Sequence, residues 1–279
     1  RAYANAERLY VAGDDDQAIH RWAGADVDRF LSLEGDKEVL GVSHRLPAKV
    51  FNVATDITDR IGHRYAKNWQ PSDREGAVEW VAQVEELDLT QGTWYLLARN
   101  GYHLSTWRQL AWDQGVAYET RSGPSIDPNH VKAVVHWERL RAGYGVEGAG
   151  IKLIQRYMDL PVTPVEGVVY HPQDLGVPVQ SIWHDALTGI DLETREYYLT
   201  ILRRGERLQD LPRVYIGTIH SVKGGEAENV GLLMDVTNKT FRSMQTSEED
   251  EHRVFYVGAT RARDRLYLVQ PQSPRYYDL

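Results

Sequence analysis

Glu248-Glu249-Asp250-Glu251-His252-Arg253-Val254-Phe255-Tyr256-Val257-Gly258-Ala259-Thr260-Arg261-Ala262-Arg263 opens on four acids and closes on a run of arginines. Acids in a first turn and cations in a last turn both favour a helix, whose N-terminus carries partial positive charge and whose C-terminus partial negative charge. The stretch therefore predicts one helix from about Glu248 to Ala262, and the apolar run Leu266 to Val269 predicts a buried strand after it. A helix feeding a buried strand is α/β construction. On that reading alone the arginines merely cap a helix C-terminus.

A second stretch, upstream of the first, bears on them: Gly217-Thr218-Ile219-His220-Ser221-Val222-Lys223-Gly224-Gly225-Glu226. The apolar segment Val214 to Thr218 reads as a strand that delivers Thr218, His220 and Lys223 to its carboxyl end. In open α/β sheets that is where ligands bind. Another strand is expected at Val230 to Asp235, and the segment after Gln270, with two prolines and no apolar pattern, is expected to fray.

Further outward, the first residues repeat the design. A strand is expected at Arg8 to Ala12, running into Gly13-Asp14-Asp15-Asp16-Gln17-Ala18-Ile19-His20-Arg21-Trp22-Ala23-Gly24-Ala25. Read as structure alone, this is an acidic turn before a helix starting near Asp26. Consecutive carboxylates are not expected to converge on one ion, and the alternating ligand spacing of a calcium loop is missing, so no metal site is assigned. A second short strand is expected at Lys37 to Val42, followed by Ser43-His44-Arg45-Leu46-Pro47 and a helix from Ala48 to about Tyr65, with Pro47 as its start signal. Arg45 then sits where a strand gives way to a helix, a place suited to an anion or to a surface arginine with no role. A polar loop over 66 to 75, strands at Ala77 to Val81 and Trp94 to Ala98, and helices at His103 to Asp113 and Asn129 to Leu140 continue the strand and helix alternation of a parallel sheet. Between about Ala142 and Leu211, Gly143, Gly145, Gly148 and Gly150 and Pro161, Pro164, Pro172 and Pro178 break the pattern. That segment reads either as a small helical insertion or as a mobile excursion.

Composition sets the bounds. A chain of 279 residues is long enough for two domains, or for one with an insertion. Apolar content of 42% and charged content of 26% are those of a soluble globular protein. No apolar run approaches the roughly 20 residues that span a bilayer, so no membrane partner is expected and a cytoplasmic setting fits. The absence of cysteine excludes disulfides, thiolate zinc sites and a cysteine nucleophile. A net charge of −8 argues against a wholesale electrostatic grip on nucleic acid, but leaves room for a local basic groove.

Four stretches in this order resemble the later motifs of superfamily 1 DNA helicases of the UvrD, Rep and PcrA type. Gly13 to Ala25 is similar to motif III, G-D-x-x-Q-S-I-Y-x-[FW]-R-G-A; Ser43-His44-Arg45 to motif IV, N-Y-R-S; Thr218 to Glu226 to motif V, T-x-H-x-x-K-G-L-E. The opening helix is similar to motif VI, E-E-R-R-L-x-Y-V-A-x-T-R-A, and Leu97-Ala98-Arg99-Asn100 stands where the family has a strand ending in R-x-N. The resemblance implies an α/β fold: a RecA-like parallel sheet flanked by helices, the second of two such helicase domains, with a short, mostly helical insertion. It implies a tail of the first RecA-like domain over 1–38, the second domain over 39–141 and 212–270, the inserted subdomain over 142–211, and a tail over 271–279.

The roles below are those the resemblance implies. ATP hydrolysis needs positive charge as negative charge spreads over the γ-phosphate oxygens. Arg45 and Arg261 are expected to supply it, an arginine being suited because its planar fork pairs two oxygens and keeps its proton. Gln17 is expected to sense the γ-phosphate or its attacking water. His44, Gly224 and Glu226 are placed at the nucleotide, His44 standing where relatives stack a tyrosine on adenine. For DNA, Trp22 is expected to stack on a base, a contact worth about 1 to 3 kcal/mol, with His20, Thr218, His220 and Lys223 beside the strand; Ala23 stands where relatives have a DNA-contacting arginine. No G-x-x-x-x-G-K-[ST] loop and no Walker B acids are present, so the chain reads as cut from a longer protein. ATP and Mg2+ are expected as cofactors of that intact protein and not as tight ligands of this fragment, which alone is expected to be inactive. Partners implied are single-stranded DNA, duplex junctions, and repair or replication proteins. Two rivals stand beside this: a non-catalytic DNA-binding or scaffold protein that kept a helicase second domain, and a helicase-nuclease subunit whose nuclease lies elsewhere.

Overall fold

The computed structural model describes residues 10–19 and 26–279. In chain order it runs α1 (Val27–Leu31), α2 (Ala48–Thr58), β1 (Ala77–Val81), β2 (Trp94–Ala98), α3 (Leu104–Asp113), β3 (Tyr118–Thr120), β4 (Gly123–Pro124), α4 (Pro128–Arg141), β5 (Val146–Glu147), α5 (Gly148–Ile154), β6 (Val169–Tyr170), α6 (Trp183–Ala186), α7 (Leu192–Arg203), β7 (Val214–Thr218), β8 (Ala227–Leu233), α8 (Asn238–Met244), α9 (Glu248–Ala259) and β9 (Ala262–Val269). Two compact units result. One takes the described residues up to Trp107 together with Ile216–Leu279, the other Arg108–Tyr215. Among the described residues no helix is long and apolar enough to cross a membrane.

The first unit is built on strands in the order β1-β9-β8-β2-β7. β1 pairs with β9, β9 with β8 and β8 with β2, all parallel, in registers such as Val78 with Leu266, Leu232 with Leu268 and Leu96 with Gly231. Strands inside a parallel sheet are covered on both faces and so read as continuous apolar runs. Leu96, Leu97, Val230, Leu232, Leu266 and Leu268 are accordingly buried, each worth roughly 1.5–3 kcal/mol relative to exposure. The outer strand β1 leaves Trp80 about half exposed, at 49%. Helices α2 and α9 pack against each other and against the sheet. Trp107 fills the start of α3, its indole N–H donating 3.0 Å to the carbonyl of Leu97.

Helix α9 is buried from Glu251 to Ala259, so its polar side chains need partners inside the protein. Glu251 accepts both forks of Arg99 at 2.5 and 2.7 Å. Asn100, next to Arg99, accepts from the Thr237 amide at 3.0 Å and donates to Thr240 Oγ1 at 2.9 Å, fixing the start of α8.

The second unit holds its own core. Trp137, Leu140, Ile151, Ile154, Tyr197, Tyr198 and Ile201 are buried together, and Trp112 stacks on Tyr197 with ring centres 4.0 Å apart. Residues 142–211 thus contribute to a packed body, carrying α5, α6 and α7 between irregular segments. That body also takes in β3, β4 and α4.

Several expected elements differ. Of the strand expected at Arg8 to Ala12, Arg8 and Leu9 lie outside the described residues, and Tyr10 to Ala12 form none. Lys37 to Val42 is not a strand either: Leu40 and Val42 are exposed, and only a single bridge from Val42 to Gln70 forms. The helix expected to reach Tyr65 stops at Thr58, because the residues beyond it reach back to the acidic turn described below. Helix α9 ends at Ala259 and β9 starts at Ala262, short of the Ala262 end and ahead of the Leu266 start that were expected. β8 is shifted toward the N-terminus of the expected Val230 to Asp235. The frayed tail is the clearest correction. Tyr277 is buried, stacks on Phe255 at 3.9 Å and shares a 2.8 Å hydrogen bond with His252 Nδ1. Asp235 receives the amides of Gln272 and Ser273 at 2.9 Å each. Two prolines interrupt secondary structure without preventing one aromatic ring from docking.

Candidate functional site

Asp14 caps a short 3-10 turn, Asp15–Gln17, by accepting the Asp16 amide at 3.1 Å. Its other oxygen accepts from Gln17 Nε2 at 2.6 Å. The tight turn brings three consecutive carboxylates within 4.8 Å of one another, contrary to the expectation that neighbours in sequence do not converge. They converge on a side chain. Lys67 Nζ lies 3.1 Å from Asp14, 2.5 Å from Asp15 and 2.6 Å from Asp16. Arg64 adds a two-pronged grip on Asp16 at 2.9 and 2.6 Å, and the Tyr65 amide donates to Asp15 at 2.7 Å.

Burial alone would push the buried Asp15 carboxyl up; Lys67 and the Tyr65 amide outweigh it and hold it below the ordinary value. Burial likewise pulls Lys67 down, and the three aspartates more than offset this and raise it. Lys67 and Arg64 offset two of the three negative charges and occupy carboxylate oxygens of the cluster, so no metal is assigned to it.

Arg261 follows α9 and is 1% exposed. Its Nε donates to the carbonyl of Val257 at 2.9 Å and its Nη1 to that of Gly225 at 3.2 Å. Nη2 lies 3.1 Å from Thr260 Oγ1 and 3.4 Å from Gln17 Oε1. Burial, with repulsion from Arg45 second, pushes the guanidinium down to about 10, so it stays cationic at neutral pH. Arg45 approaches from the start of α2. Its Nε is buried without a hydrogen-bond acceptor among the described residues, and the Glu226 carboxylate is 3.9 Å away. Glu226 is shared with Arg263 at 3.7 Å. Two arginines are thus held close enough to repel, with one donor unsatisfied: an arrangement that favours an anion.

Of the residues expected at the nucleotide, Gln17, Arg45, Arg261 and Glu226 come together. His44 is exposed beside Arg45, and Gly224 is exposed with φ of +92°, a conformation open to glycine. Lys223 donates 2.8 Å to the backbone carbonyl of Gln17. Thr218 precedes the 3-10 turn Ile219–Val222, on which half-buried His220 sits. His20 and Trp22 lie outside the described residues.

Three cations were missed by the sequence reading. Lys67 and Arg64 stand in segments read as plain loop and helix end. Arg253, buried in mid-helix, donates to the carbonyls of Asp15 at 3.1 Å and His63 at 2.6 Å, tying α9 to the acidic turn. Its i,i+4 spacing from Glu249 was the available signal, but suggested only a surface pair.

Comparison with known proteins agrees with this architecture. Residues 197–273 match the family model of the UvrD-like helicase C-terminal domain, a span that holds Lys223, Gly224, Glu226 and Arg261. Over 171 residues the chain is 24% identical to the ATP-dependent DNA helicase PcrA of Bacillus subtilis (strain 168), which covers 59% of this chain and 23% of that relative. The chain therefore spans less than a quarter of the relative it matches. Residues 197–273 are thus similar to a UvrD-like helicase C-terminal domain, and the mostly parallel sheet flanked by helices is consistent with an α/β, RecA-like fold.

Proposed function

We propose that this helicase C-terminal region supplies the arginine face of an ATP site in a DNA helicase that moves 3′ to 5′ along single-stranded DNA. The observation that carries the reading is the pair Arg261 and Arg45. One guanidinium is locked by carbonyls of its own helix and of the Gly225 turn; the other keeps a buried, unsatisfied Nε. A buried arginine held by carbonyls, with a second cation close enough to repel it, is suited to developing phosphate charge.

Bound ATP with its Mg2+ supplies the phosphoryl bond whose hydrolysis drives the cycle. Arg45 and Arg261 offset charge on the γ-phosphate, and an anion there relieves their mutual repulsion. Gln17, in contact with Arg261, reports that charge to the turn that leads toward His20 and Trp22. Thr218, His220 and Lys223 serve the DNA strand, and His44, Gly224 and Glu226 the nucleotide. No residue of this chain is assigned to Mg2+, since Lys67 and Arg64 hold the one aspartate cluster among the described residues. On this reading the chain alone, without a Walker A loop, is inactive, and the intact protein is cytoplasmic and works at duplex junctions with repair or replication proteins.

The test is strand displacement by the intact protein on duplexes carrying either a 3′ or a 5′ single-stranded tail, with ATP. Displacement of the 3′-tailed duplex alone is expected. DNA binding without nucleotide-dependent displacement or DNA-stimulated ATP turnover would replace the reading with that of a scaffold.

A further inference from the structure

We propose that Lys67 is the positioning residue for Gln17, acting through Asp14. The inference deepens the reading of Gln17 as a residue of the ATP site and rests on it. The side-chain amide of Gln17 can face two ways. An ionised carboxylate is acceptor-only, so Asp14 Oδ2, at 2.6 Å, selects the amide nitrogen and turns Oε1 toward Arg261 Nη2 at 3.4 Å. The opposite orientation would set a carbonyl oxygen against the carboxylate and an amide donor against a guanidinium. The choice therefore depends on Asp14 staying in place beside Gln17.

Alone, Asp14 would not keep that place. Asp15 and Asp16 are buried beside it, and three like charges within 4.8 Å repel one another. Lys67 contacts all three, whereas Arg64 reaches Asp16 alone by hydrogen bond. An ammonium, a compact charge with three donors, suits a three-way contact better than a planar fork does. Meanwhile Lys223 fixes the backbone carbonyl of Gln17 at 2.8 Å. The main chain of Gln17 is thus set by one lysine and its side chain, through Asp14, by another. Removing Lys67 leaves the Arg64–Asp16 pair and the Tyr65 amide on Asp15, so the turn keeps its outer hold while Asp14 loses its cation.

Two measurements on Lys67→Met and Lys67→Arg test this. The first is the 15N-resolved side-chain NH2 signal of Gln17 in the chain itself, which requires no turnover. It is expected to shift and exchange faster in Lys67→Met and to return toward the wild-type position in Lys67→Arg. The second is DNA-stimulated ATP turnover by the intact protein. In Lys67→Met kcat is expected to fall about 10- to 100-fold, as for a misplaced reacting group, with KM unchanged; a purely structural lesion would lower the active fraction of both variants. A Gln17 signal that stays unchanged in Lys67→Met overturns the inference whatever the turnover does, and so does a shifted signal with unchanged kcat. A wild-type protein without DNA-stimulated turnover sinks the ATPase reading instead, and the amide signal then decides the positioning claim alone.

Discussion

Replacing Arg253 with methionine tests how α9 is joined to the acidic turn. Arg253 is 1% exposed, and its guanidinium donates to the Asp15 carbonyl at 3.1 Å and the His63 carbonyl at 2.6 Å. Methionine keeps most of the length and apolar stem but removes the charge and every donor. Two hydrogen bonds from a charged donor are worth about 1.5–3 kcal/mol each, or about 3–6 kcal/mol together. Part of this is offset, because the variant no longer buries a guanidinium. The acids facing it, Glu249 and Asp250, lie 3.5 and 3.9 Å away with side chains 41% and 37% exposed, so water can take over their solvation. The net expectation is a loss of about 2–3 kcal/mol, read from urea unfolding of the chain. Hydrogen exchange should locate the damage. The Gln17 and Ala18 amides, which bond to the Asp14 and Asp15 carbonyls at 3.1 and 3.2 Å, should lose protection before the amides of β8. An unchanged unfolding midpoint, or a loss spread evenly over the first unit, would refute the reasoning.

The docked tail makes a second prediction. Tyr277→Phe removes the partner of His252 Nδ1 and should cost about 1 kcal/mol, whereas Tyr277→Ala also removes the ring stacked on Phe255 and should cost about 3–5 kcal/mol in the same unfolding assay; equal stability of all three proteins would mean the tail is not held. His252 gives a pH dependence. Burial, the largest influence, holds its pKa below the ordinary value, so the unfolded chain takes up a proton first as pH falls. Stability should decline as pH drops below about 6.5, the unfolded-state value, and should level off below the folded-state pKa. His136 shifts the same way, again mainly by burial, so His252→Gln should flatten the decline in part; an unchanged slope would show that His252 is not buried neutral.

What the sequence reveals here follows from which forces are local. Strands β1, β2 and β7 are legible to the residue; in β2 and β7 apolar runs between polar breaks coincide with burial, while β1 is an outer strand with only Val81 buried. The nearness of Arg45 and Arg261 is implied by the resemblance of their motifs and not by local pattern, since the strand expected before Arg45 does not form. Lys37 to Val42 has the apolar content of a strand but pairs only through the Val42 to Gln70 bridge, and pairing is not written in the strand itself. Lys67 was illegible for a related reason. Its partners lie some fifty residues earlier, and a lysine in a polar loop looks the same whether it faces water or three carboxylates. The tail shows the converse, where a segment without periodicity is held by one buried aromatic ring and by the amides that Asp235 accepts.

The central claim is that Arg261 faces the γ-phosphate while Arg263, two residues on and bound to Glu226 at the surface, does not. DNA-stimulated ATP turnover of the intact protein carrying Arg261→Ala or Arg263→Ala tests it most directly, with folding of each variant checked by its unfolding midpoint. Loss of an arginine that stabilises phosphoryl-transfer charge lowers kcat by about a thousandfold or more, so Arg261→Ala should show that drop and Arg263→Ala should turn over near the wild-type rate. Wild-type turnover by a folded Arg261→Ala protein would contradict the account.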